Sequence, residues 1–166
     1  MRDVDLAYLA GVIDSDGYIS AANSTHKGRR YFGAAVGIAG TRRDPHDLAA
    51  GFFGGSVRIY YPKDDRAHHR PQYQWQRYGR SAVPVISAVL PYLRVKAEQA
   101  RLALELQESL DEARLMRSHE DPFPWFGPDY DPTKDLADLA DEVRALNIRG
   151  MTRADRIHDA FPGGAR

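Results

Sequence analysis

The chain has 166 residues, enough for one domain with its own core and too few for two ordinary ones. Its 43% apolar content excludes a disordered chain, its lack of cysteine excludes disulfides and cysteine-held zinc, and no apolar run approaches the ~20 residues of a membrane span. Net charge is zero but unevenly spread: His26–Arg80 carries eleven Lys or Arg against four Asp or Glu, and Ala97–Ala145 five against thirteen. A local basic segment suits phosphate binding, and equally an ordinary solvated face. The first residues are acidic where a signal peptide needs bases. The expectation is a soluble intracellular protein, cytoplasmic, nucleoid-associated or in an organelle.

In chain order, Leu6, Leu9, Ala10 and Ile13 lie on one face of a first helix, with Asp3 or Asp5 as its cap and Gly17 as a left-handed residue after it. "YISAANSTHKGRRYFGAAVGIAG" reads as a hairpin turning at His26–Gly28. "DPHDLAAGFFGG" predicts a helix capped by Asp44, opened by Pro45 and ended by Gly54 and Gly55. "SVRIYY" and "QYQWQRY" form a second strand pair around a polar loop. Ser81 starts a short helix over Val85, Ile86, Val89 and Leu90 that Pro91 stops. "VKAEQARLALELQESLDEARL" is a long helix, Leu136–Val143 another, and Ala154 and Ile157 mark a last short one.

The chemistry concentrates in "DSDG", at a helix end where the macrodipole disfavours carboxylates by roughly 0.3–1 kcal/mol each. An EF-hand loop fails: with Gly17 at position 6, Val12 falls at position 1 and Asn23 at position 12. A bland, solvated helix end accounts for the four letters alone. The longer stretch "LAGVIDSDG", Leu9–Gly17, resembles the LAGLIDADG motif of homing endonucleases, matching seven of nine positions with Val12 and Ser15 as the changes. The element order is similar to that family's core, and "PYLRVKAEQARLALEL" resembles its segment after the second hairpin. The likeness runs from about Val4 to Arg153. Ala7, Ala10 and Gly11 make a small-residue face on which two helix backbones can approach closely.

The resemblance implies an α+β fold, an αββαββα core with a curved antiparallel sheet and additional C-terminal helices, forming one domain over residues 1–166. The hairpins fall at about 18–40 and 55–79 and the C-terminal helices at about 81–160. It implies a homodimer joined through Ala7, Ala10, Gly11 and Asp14, because one motif supplies half a site, with Asp14 also capping or ordering the helix end. It implies metal-dependent hydrolysis of both strands of a long pseudo-palindromic DNA site, leaving 3′ overhangs. Asp16, with the carbonyl of Ser15, would hold Mg²⁺; Ca²⁺ would support binding without cleavage. Lys96 matches a basic residue near the scissile phosphate.

The sheet would lie in the major groove, where alternate residues face bases. Ser20, Ala22, Ser24 and His26 share one face, as do Tyr31, Gly33, Ala35 and Gly37. Arg58, Tyr60, Gln74, Gln76 and Tyr78 share the corresponding face of the second pair, and Trp75 packs beneath. Arg29, Arg30, Arg42, Arg43, Arg149, Thr152 and Arg153 are candidate base or phosphate contacts. One departure matters: family members often place Gln near the end of the first hairpin, where this chain has Gly40 or Thr41. That keeps a second reading open, a non-cleaving binder of the same fold that is an intron maturase, with intron RNA as partner, or a DNA-binding regulator.

Overall fold

The computed structural model describes residues 2–27, 29–62, 70–118 and 132–147. Helix α1 (Asp3–Asp16) leads into β1 (Gly17–His26) and β2 (Arg29–Gly40); α2 (Asp44–Phe53) leads into β3 (Arg58–Tyr60) and β4 (Gln72–Tyr78); α3 (Val83–Val89), α4 (Ala97–Ser118) and α5 (Pro132–Ala145) follow. The four strands form one antiparallel sheet in the order β1-β2-β4-β3. This is the α+β arrangement expected.

The period of two along each strand sorts the sheet into two faces. Ile19 and Ala21 of β1, Ala34, Val36 and Ile38 of β2, and Trp75 of β4 turn to one side and join a single core with Leu9 and Ile13 of α1, Val85, Ile86 and Val89 of α3, Leu106 of α4 and Val143 of α5. The helices therefore lie on one face. Trp75 is pinned there: its indole N–H donates to the carbonyl of Gly54 at 2.9 Å, and its ring tilts against Phe53. Polar side chains finish the edges. Gln107 of α4 accepts from the Ala34 N–H and donates to Asp111, which also takes Arg80. Asn147 and Arg144 donate to the carbonyls of Ile19 and Ala21.

Several local expectations are corrected. Helix α1 is preceded by Arg2, which makes no side-chain cap; Asp3 and Asp5 lie inside the first turn, where their charge suits the dipole, and Asp5 pairs with Arg2. Gly17 is extended, at φ −97°, so no left-handed turn ends the helix. Glycine is needed for space: a Cβ there would fall 2.7 Å from the Gly37 carbonyl oxygen and 2.8 Å from the Ile13 Cα. The residue preceding α2 is Arg43, with Asp44 already helical and no side-chain cap. Strand β3 spans only Arg58–Tyr60, shorter than "SVRIYY". The expected last helix around Ala154 and Ile157 lies outside the described residues. No described helix is long and apolar enough to cross a membrane.

Candidate functional site

Helix α1 runs straight into β1, so its last residue, Asp16, stands at the end of the sheet where β1 begins and β2 finishes: Gly17 pairs with Ile38, two residues before Gly40. Asp16 is exposed, and its carboxylate makes no hydrogen bond among the described residues. Its neighbours are engaged. The Asp14 carboxylate accepts the backbone N–H groups of Arg94, Val95 and Lys96 at 2.7, 3.1 and 2.9 Å. Those amides lead into α4, whose first donors otherwise have no partner. In return the Lys96 ammonium donates to the carbonyls of Ile13 and Asp14 at 2.9 and 2.5 Å. Each segment caps the other.

This exchange explains the two acids. A cation sits on the negative end of α1, beside both carboxylates, and offsets the dipole's cost. Burial pushes the Lys96 pKa below its ordinary value, outweighing the attraction of Asp14 and Asp16, which pulls it up. The Asp16 carboxylate and the carbonyl of Ser15 are hard oxygen donors, the chemistry that Mg²⁺ and Ca²⁺ take. Among the described residues no three His, Cys, Asp or Glu gather into a metal cage. One carboxylate fits an ion that keeps most of its waters or takes phosphate oxygens.

The sheet face away from the core is polar and aromatic. Ser20, Ala22 and Ser24 lie on it, paired with Ala35, Gly33 and Tyr31. Gln74, Gln76 and Tyr78 of β4 continue it, with Arg58 and Tyr60 of β3 opposite Gln74 and Gln72. Tyr31, Tyr60 and Tyr78 are exposed. Trp75 faces the core, as its parity requires. Two residues on this face were missed, Gln72 and Tyr18, although both share the parity of residues that were named. Tyr18 lies across Gly37 and donates its hydroxyl to Gln76 Oε1 at 3.2 Å. Burial, then the Tyr78 hydroxyl beside it, pushes the Tyr18 pKa far above its ordinary value.

Other expected site residues fall differently. Ala10 is 0% exposed, within this chain's own core, and does not share the exposed face of Ala7 and Gly11. A helical turn of 3.6 residues puts Ala10 beside Leu6 and Ile13, so the small residues do not form one stripe. Asp14 is half-buried with its carboxylate committed to the start of α4, not to an outer interface. Arg43 forks onto Asp47 and Arg42 reaches Asp44, both as exposed pairs. At Gly40 a Cβ would have room, its nearest neighbour being His46 Cε1 at 3.9 Å. The side chains of His26, Arg29 and Arg30, and all of Arg149, Thr152 and Arg153, lie outside what the structure describes.

No protein-family model and no curated protein matches the sequence. Solved structures do match in shape. The homing endonuclease I-CvuI, crystallised with its target in the presence of Ca, is 20% identical over 96% of this chain and 94% of its own, with a TM-score of 0.63. The archaeal intron-encoded homing endonuclease I-Vdi141I, complexed with DNA, is 15% identical over 98% and 99%, with a TM-score of 0.62. The LAGLIDADG homing endonuclease I-GzeII, in complex with a DNA target, is 13% identical; the match covers 95% of this chain but 49% of that one, with a TM-score of 0.54. The agreement extends along nearly the whole chain and holds the same helix–hairpin order, so this protein has the fold of the LAGLIDADG homing endonucleases.

Proposed function

We propose that the protein is a site-specific, divalent-metal-dependent DNA endonuclease that works as a homodimer and cuts both strands of a roughly palindromic site. The observation that carries this reading is the end of α1: a free carboxylate, Asp16, beside a lysine ammonium, at one edge of a sheet whose open face carries Arg, Gln and Tyr. I-CvuI, I-Vdi141I and I-GzeII, which share this fold, were each crystallised with a DNA target or DNA, which supports DNA as the ligand here.

The residues divide the work by their chemistry. Asp16 and the Ser15 carbonyl would hold Mg²⁺, which when bound supplies charge stabilisation for a scissile phosphate. Lys96, whose ammonium donates to the carbonyls of Ile13 and Asp14, stands at the same end and would lie near the phosphate. Arg58 can pair with guanine and Gln74 with adenine in the major groove. Ala7 and Gly11 lie on the exposed side of α1 with Val4 and Tyr8, and a Cβ at Gly11 would meet nothing within 4 Å. A second copy of α1 can therefore approach there, bringing two Asp16 side chains near one axis.

The test is a selection from randomised duplexes in Ca²⁺, after which the recovered DNA is moved to Mg²⁺. A palindromic consensus that is cut by the wild type and bound but uncut by Asp16→Asn is the expected result. Loss of binding together with cleavage in Asp16→Asn would make the acid structural and overturn the assignment. A second reading rests on Gly40, which offers no side chain near Asp16. On that reading the protein binds nucleic acid without cutting, and a consensus bound but never cut in Mg²⁺ would favour it, with intron RNA as the next ligand to try.

A further inference from the structure

The outer row Tyr18–Gly37–Gln76 crosses three strands, with Tyr18 opposite Gly37 in β1–β2 and Gly37 opposite Gln76 in β2–β4. One side chain, on β2, normally separates those on β1 and β4. Here the middle position has none, and its absence is required: a Cβ on Gly37 would fall 2.7 Å from Tyr18 Cε1 and 2.8 Å from its hydroxyl oxygen. The tyrosine ring fills that space and places its hydroxyl 3.2 Å from Gln76 Oε1. Oε1 is an acceptor only, so Tyr18 is the donor.

A free glutamine reads adenine through both ends of its amide, Oε1 accepting from N6 and Nε2 donating to N7. Guanine presents two acceptors, N7 and O6, and asks only for donors. We propose that Tyr18 is a positioning residue for base recognition: by occupying Gln76 Oε1 it turns the amide so that Nε2 alone is offered outward, and directs this position to guanine over adenine. The oxygen keeps a second lone pair, but aiming it at a base would require the amide to rotate and give up Tyr18. Gly37 is the space that permits the arrangement. The inference rests on the sheet being the DNA-reading surface.

Selection from randomised duplexes in Ca²⁺ tests it with the wild type, Gln76→Ala and Tyr18→Phe. Gln76→Ala identifies the base pair by flattening its column. The wild type should show guanine there. Tyr18→Phe keeps the ring over Gly37 and frees Oε1, so that column alone should move toward adenine, by about tenfold in relative preference. A wild-type position enriched in A·T over G·C overturns the proposal without any variant. So does a Tyr18→Phe profile identical to the wild type, or one in which every column weakens together, as a purely structural tyrosine would produce. A wild type that enriches no duplex sinks the DNA-reading surface itself, and this inference with it.

Discussion

Removing the Asp14 carboxylate strands the backbone N–H groups of Arg94, Val95 and Lys96 at the start of α4. Loss of such a cap weakens a fold by roughly 1–3 kcal/mol, so Asp14→Ala should show a clearly lowered urea midpoint. Asp16→Asn should behave differently. It deletes a charge that hydrogen-bonds to nothing described, and the dipole cost it relieves is set against the lost attraction to Lys96, so its stability should stay close to the wild type's. Urea unfolding of both variants checks the pair. Equal destabilisation would mean that Asp16 is also a structural cap. The resemblance separates the two acids, Asp16 for metal and Asp14 for ordering the helix end, but the letters do not say which groups Asp14 engages. Those groups are backbone amides far along the chain, which no local pattern reveals.

At the scale of elements, α1 has two sides with different tolerances. Gly17 touches backbone, so Gly17→Ala requires the α1–β1 junction to shift and should destabilise the monomer. Gly11 faces open space, so Gly11→Leu should fold normally yet fail to pair. Sedimentation together with circular dichroism distinguishes the two effects. A dimer that survives Gly11→Leu would place the interface elsewhere. Much of this layer was legible in the sequence. Strand β4 matches "QYQWQRY" residue for residue, and the alternation put Trp75 inside and Gln74, Gln76 and Tyr78 outside. The rotation of α1 was less so. The periodicity put Ala10 on the apolar face with Leu9 and Ile13 while the small-residue pattern grouped it with Ala7 and Gly11; its burial in the core decides for the first.

For the molecule as a whole, zero net charge conceals a functional prediction. If the basic groups of the middle segment contact phosphates, the binding constant for duplex DNA should fall steeply and log-linearly with salt. Affinity measured between about 50 and 200 mM salt checks this, and a flat response would argue against a phosphate-binding sheet. The overall fold was readable from the order of periodic segments, whereas the row from Tyr18 to Gln76 was not, because strand register decides which residues become neighbours across a sheet. The mutual capping of α1 and α4 has a further consequence, for how the chain is made. Lys96 and Asp14 stand 82 positions apart in sequence. During synthesis from the N-terminus, Asp16 and the first hairpin emerge long before the lysine that completes their surroundings. Closing so long a loop is late and slow relative to forming either hairpin. A partly synthesised chain thus carries the acid without its assembled setting until the start of α4 has emerged and folded back.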